Sequence, residues 1–177
     1  MSPCHRLLSL FCVIGIGHCA AAVAHSASDA YLTLDVLSQS KASSATVGHG
    51  QWDIALRDLD FAMTLDSNGD GKITWGEVAT RRAEIERYAL AGLRLSRGGE
   101  ACTLIPSRQL IANHADGAYA ALLFNFSCPS ARGDLELDYH LFFAIDPSHR
   151  GILTMRAGAN VATAVLSPER THLALGL

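Results

Sequence analysis

No run of basic residues occurs anywhere in this 177-residue chain, in which 14 Lys and Arg face 17 Asp and Glu. Phosphate backbones are bound by cationic faces, so a formal charge of -3 without a basic cluster argues against nucleic acid as a partner. The pattern Gly-x-Ser-x-Gly is missing, and so are Cys-x-x-Cys and His-x-x-x-His, the local signatures of a nucleophile turn and of zinc ligation. Gly69-Asp70-Gly71-Lys72 runs into Ile73, where a phosphate loop needs Ser or Thr. His5, His18, His25, His49, His114, His140, His149 and His172 keep no ligand spacing between neighbours and read as surface or hydrogen-bonded residues. Together these gaps argue against an enzyme and identify no small-molecule substrate. Internal repeats and low-complexity tails are also missing. With 49% hydrophobic and 18% charged residues, the chain is long enough for one domain with its own core.

Cysteine is scarce, and its placement is informative. Cys4, Cys12 and Cys19 fall among the first 24 residues, leaving only Cys102 and Cys128 beyond them. His5 and Arg6 give that first stretch a short cationic start, residues 7–23 are nearly all apolar or small, and Ala22-Val23-Ala24 offers a small-x-small site for a signal peptidase. Gly15, Gly17, His18 and Cys19 interrupt the apolar run and no charged stop follows, which favours a cleaved leader over a membrane anchor. His18 before Cys19, where a lipoprotein signal needs a small residue, argues against lipidation. Residues 1–24 are thus expected to be a signal peptide and residues 25–177 an exported, periplasmic domain. In an oxidising compartment the remaining even pair is expected to form one disulfide, Cys102–Cys128.

Past the leader, hydrophobicity mostly has period two. Tyr31-Leu32-Thr33-Leu34-Asp35-Val36 alternates, residues 38–50 read as a small polar loop, and Trp52, Ile54 and Leu56 alternate with Asp53, Ala55 and Arg57. The period changes at Asp58, where Leu59, Ala62, Met63 and Leu65 have helical spacing. A second helical face runs through Trp75, Val78, Ile85, Ala89 and Leu93, with Gly92 as a stop. Residues 93–104 have the signature of a hairpin around Arg97-Gly98-Gly99-Glu100. Residues 118–126, 135–141, 152–156, 161–166 and 172–175 read as further strands, with a turn over 146–151. This spacing predicts a mainly β (α+β) fold: an antiparallel β-sandwich with an inserted helix-loop-helix over about 58–93.

Between the two helical stretches lies Asp66-Ser67-Asn68-Gly69-Asp70-Gly71-Lys72-Ile73-Thr74-Trp75-Gly76-Glu77. Calcium is a hard cation that takes six to eight oxygens in a flexible cage. Counted from Asp66, oxygen donors stand at the alternate positions of an EF-hand loop. Asp66, Asn68 and Asp70 offer side-chain oxygens, Lys72 its carbonyl, Thr74 a hydroxyl or a bridging water, and Glu77 two carboxylate oxygens to close the sphere. Gly71 stands at the sharp bend and Ile73 at the position that tethers the loop to a core. A plain turn would use the Asp, Asn and Gly residues but has no need of Ile73 or Glu77. No second such loop appears, and EF-hands usually pair. A single exported site is therefore expected to bind calcium weakly, with a dissociation constant on the order of 0.1 to 1 mM, in a structural role.

A cleaved leader would expose His25, whose amine and ring can chelate copper or nickel, although a frayed terminus is the simpler reading. Asn125-Phe126-Ser127 is a glycosylation acceptor only in a eukaryote and lies in an expected strand. The mature start His25-Ser26-Ala27-Ser28-Asp29-Ala30-Tyr31-Leu32, the stretch Gly50-Gln51-Trp52-Asp53-Ile54-Ala55-Leu56-Arg57-Asp58-Leu59, the calcium loop and Leu137-Asp138-Tyr139-His140-Leu141-Phe142-Phe143 together resemble the exported N-terminal domain of bacterial membrane proteins of the HupE/UreJ-like class. The resemblance spans most of the mature chain and implies a soluble domain placed before membrane helices, in a class tied to metal-ion permeation or to hydrogenase and urease accessory work. No apolar run of spanning length follows the leader, so only the soluble part carries over, as a stand-alone or truncated version or one with a separate membrane partner. Two readings follow: an exported calcium-binding module whose helical insertion contacts an unidentified protein, and a soluble accessory domain for nickel-type metal uptake or delivery with a membrane partner.

Overall fold

Burial alternates along the strands that the sequence marks. Over Leu135–Tyr139 the three apolar side chains lie inside while Glu136 and Asp138 are half out, and over Asp29–Val36 Ala30, Leu32 and Leu34 are fully buried. Each such strand offers one apolar face to a core. The computed structural model describes residues 28–37 and 45–176. The elements run β1 (Asp29–Val36), β2 (Thr46–Ala55), α1 (Leu56–Met63), α2 (Trp75–Thr80), α3 (Arg82–Ala91), β3 (Leu93–Arg97), β4 (Glu100–Ala101), β5 (Thr103–His114), β6 (Gly117–Cys128), β7 (Leu135–Tyr139), β8 (Arg150–Ala157), β9 (Asn160–Leu166) and β10 (His172–Leu175). The expected leader and His25 lie outside the described residues, as do residues 38–44.

Among the described residues the strands form two sheets, one of six strands in the order β5-β6-β2-β1-β8-β9 and one of four in the order β10-β7-β3-β4. The fold is mostly β with a helical segment between β2 and β3. Leu32, Trp52, Phe124 and Leu153 from the larger sheet, Leu95, Leu137 and Tyr139 from the smaller, and Leu59, Val78 and Ile85 from the helices share one buried cluster. Cys102 and Cys128 are bonded, closing the start of β5 onto the end of β6 across 26 residues of sequence.

Several expectations are corrected. The sheets are not purely antiparallel, because β1 pairs with β8 in parallel while pairing antiparallel with β2. Side-chain alternation records which face is buried, not which strand lies alongside or in what direction. The polar loop expected over 38–50 ends early, since Thr46 already belongs to β2. Gly48 and Gly50, which gave that stretch its loop-like composition, sit beneath the rings of Phe126 and Phe124, where an added Cβ would come within 2.2 and 2.1 Å of ring carbons. Leu56 begins α1 instead of ending a strand. The second helical face breaks at Arg81, Trp75 is 53% exposed, and Leu93 belongs to β3. Gly92 does stop α3, its N–H donating to the Ala89 carbonyl at 2.9 Å. β7 ends at Tyr139, and Leu141 lies in a turn where Phe142 takes φ 62. β5 has no counterpart among the expected strands beyond its first residues, because most of its side chains are exposed and its burial does not alternate.

Candidate metal centre

Two buried residues bracket the 66–77 loop. Leu65 just before it and Val78 just after it are both fully buried, so the chain leaves and rejoins the core on either side of an exposed excursion. α1 ends on Thr64 at φ 56, whose N–H donates to the Asp60 carbonyl at 2.7 Å. Asp60 Oδ1 in turn accepts from the Asp66 amide at 2.8 Å. Arg81, between α2 and α3, donates to the Met63 carbonyl at 2.9 Å and the Thr64 carbonyl at 3.3 Å while pairing with Glu84. Carbonyls that a helix C-terminus leaves unpaired are thereby met by a cation from the far side of the loop.

Inside the loop the acidic side chains are bound to the loop's own backbone. Asp66 Oδ1 accepts from the Gly69 and Asp70 amides at 2.8 and 3.2 Å, and its Oδ2 from the Gly71 amide at 2.8 Å. Asn68 Oδ1 accepts from the Asp70 amide at 2.9 Å, and Asp70 Oδ1 from the Lys72 amide at 2.8 Å. Gly71, at φ 78, holds the left-handed conformation that this winding requires and that a Cβ would strain. Ile73 is half-buried against the core and, with Leu56, Arg57, Asp116, Gly117 and Ala118, lines a cavity of about 240 Å³ beside the β5–β6 turn.

Glu77 spans the loop. Its Oε1 accepts from the amide and hydroxyl of Ser67, both at 3.0 Å, and its Oε2 from the amide and hydroxyl of Thr74, both at 2.8 Å. Thr74 Oγ1 accepts in return from the Glu77 amide, a capping box that starts α2. The Thr74 bonds first, then those of Ser67, hold the Glu77 carboxyl down to about 2. It is therefore ionised through the whole physiological range.

The predicted site residues are thus distributed as follows. Asp66, Asn68 and Asp70 share one nest of amides, Lys72 joins it through its own amide, and Thr74 and Glu77 hold each other at the far end. Among the described residues no three His, Cys, Asp or Glu side chains are gathered so as to hold a metal ion as they stand. The donor set nevertheless fits a hard cation chemically, being all oxygen and largely exposed to solvent. Glu77 would have to trade its Ser67 and Thr74 bonds for the ion.

A second polar constellation was missed by sequence reasoning. His149, one of the eight scattered histidines, is fully buried. Its Nδ1 lies 2.8 Å from Ser28 Oγ and its Nε2 2.8 Å from the Tyr139 hydroxyl. Ser28 spends its single proton on Asp58 Oδ2 at 3.0 Å, so His149 carries its proton on Nδ1 and donates to Ser28, while Tyr139 donates to Nε2. Burial pushes the His149 imidazole down to about 4 and raises the Asp58 carboxyl. Ser28 and Asp58 also line a cavity of about 300 Å³ with Phe61, Phe142, Ile145 and Asp146. No spacing rule announces this node, since its members are 30, 121 and 10 residues apart.

Among the described residues no helix is long and apolar enough to cross a membrane. No protein-family model and no curated protein matches this chain.

Proposed function

We propose that this protein is an exported, periplasmic module that binds one calcium ion in the 66–77 loop, and that the ion orders the helical segment 56–91 as a surface for a protein partner. In this reading the two sheets are the layers of a β-sandwich and the helical segment is an inserted EF-hand-type helix-loop-helix. The observation that carries it is the winding of the loop: the Asp66 carboxylate is held by the Gly71 amide at 2.8 Å, with oxygen donors at alternate positions from Asp66 to Thr74 and Glu77 three residues further on. Asp66, Asp70 and Glu77 would supply charge, Asn68 a neutral oxygen, Lys72 its carbonyl, and Thr74 a hydroxyl or a bridging water. When bound, the ion supplies positive charge that draws these acidic oxygens together; it performs no chemistry on a substrate.

Partner binding has its own support. Phe61 on α1 is 74% exposed and Trp75 at the start of α2 is 53% exposed, large apolar side chains on the segment that the ion would stiffen. The partner is an unidentified protein that meets this helical surface. A dissociation constant on the order of 0.1 to 1 mM would make about 10 mM calcium stabilise the fold by roughly 1.4 to 2.7 kcal/mol. Thermal unfolding with and without calcium tests this. The wild type should gain several degrees in Tm, magnesium should give less, and Glu77→Gln should abolish the gain. An equal gain in Glu77→Gln would refute the assignment.

A further inference from the structure

Edge strands expose unpaired backbone groups, and most proteins guard them. In the larger sheet, β5 is guarded: it carries Pro106 and Arg108, and its register with β6 shifts between them. In the smaller sheet the edges are only two and four residues long, in β4 and β10. Among the described residues β9, at the other edge of the larger sheet, has no such protection. Its seven residues, Asn160-Val161-Ala162-Thr163-Ala164-Val165-Leu166, include no charge, no proline and no glycine. Val161 is 63% and Val165 51% exposed.

β9 also reads the same in both directions about its midpoint, Val-Ala-Thr-Ala-Val centred on Thr163. The hairpin to β8 has a two-residue turn, with Gly158 at φ 60 and Ala157 opposite Asn160. In a hairpin of this kind the flanking pair is hydrogen-bonded and the bonding alternates from there. Ala162 and Ala164 therefore bond to β8, and the N–H and C=O groups of Val161, Thr163 and Val165 face the open edge. Those are the residues on which the palindrome acts.

We propose that β9 pairs antiparallel with β9 of a second copy about a two-fold axis through Thr163, joining two six-stranded sheets into one. Thr163 then faces the second copy's Thr163, and each Val161 faces a Val165. The three outward-facing residues of each strand meet in hydrogen-bonded register, so every open-edge N–H and C=O finds a partner. Self-complementarity of this kind is what a two-fold interface demands of one surface patch, and Val–Val and Thr–Thr pairs are favourable opposites in a ladder. A heterologous strand would have no reason to require the palindrome, which is why the second copy is the occupant.

Sedimentation equilibrium of the purified protein against its Thr163→Lys variant tests the pairing. The wild type should sediment as a dimer, and Thr163→Lys, which sets two like charges opposite each other at an exposed position, should raise the dimer dissociation constant about tenfold or more. Register is read separately by oxidation. Thr163→Cys should cross-link to a covalent dimer and Val161→Cys alone should not, with the wild type as the baseline. A monomeric wild type, an unweakened Thr163→Lys dimer, or equal cross-linking of both cysteine variants would overturn the proposal. Calcium plays no part in it, so the calcium reading stands or falls apart from it.

Discussion

The 66–77 loop and the node around His149 satisfy their polar groups in opposite ways. In the loop, carboxylates sit in water and bind amides two to ten residues away. In the node, a fully buried neutral ring is held between Ser28 and Tyr139, one of them 121 residues distant in sequence. Water can replace any bond the loop loses, whereas a buried group that loses its partner forfeits solvation as well. The loop is therefore cheap to open and suited to exchanging partners, while the node behaves as a rivet. It joins the start of β1, the N-terminal end of α1 and the turn before β8.

Removing the rivet should give the largest effect. His149→Ala leaves the Tyr139 hydroxyl unpartnered in an unfilled space, and urea unfolding should show a loss of about 3 kcal/mol or more. Asp70→Ala without calcium should cost well under half as much. Equal costs would erase the distinction between the two regions.

Acid should separate them next. The His149 imidazole is pushed down to about 4, so between its ordinary value of 6.5 and about 4 the unfolded chain takes up a proton that the folded chain refuses. Stability should therefore fall as pH drops through that window, by up to about 3 kcal/mol, and a His149→Ala variant should lack this slope. Glu77 works lower. Its folded value of about 2 lies beneath the ordinary 4.5, so its contribution is complete above 4.5 and fades as pH falls toward 2. The pH slope of a Glu77→Gln variant should differ from that of wild type in that lower window alone, with a constant offset above it. Denaturant midpoints across pH 2 to 8 in the three proteins read both windows.

The smallest effect concerns the loop's bend. Gly71→Ala places a Cβ at φ 78 and should cost about 1 kcal/mol in calcium-free unfolding, by strain alone. Open space surrounds the site, with nothing within 4 Å of the added carbon. A cost several times larger would mean that the loop is packed more tightly than the node comparison allows.

The same contrast explains what could be read before the structure. The winding of the 66–77 loop follows local rules, because the bonds within it span ten residues or fewer and such bonds obey fixed spacings. Gly92 as a helix stop and the Cys102–Cys128 bond were legible too, the first by local chemistry and the second because only two candidates remained. The start of β2 was not, since Gly48 and Gly50 look like loop residues until Phe126 and Phe124 are seen to cover them. Likewise the parallel β1–β8 pairing joins residues more than 110 positions apart, with no local trace. His149 looks like any other histidine until the fold delivers Ser28 and Tyr139 to its two nitrogens. What Glu77 does without an ion was also hidden, because a capping box and a calcium ligand ask for the same residue at the same place.

Isothermal titration of calcium into the wild type and into Glu77→Gln bears most directly on that exchange. We expect one site per chain in the wild type, with a dissociation constant of about 0.1 to 1 mM, and at least a tenfold loss in the variant. Absence of binding by the wild type at about 10 mM calcium, or an affinity unchanged in Glu77→Gln, would contradict the account.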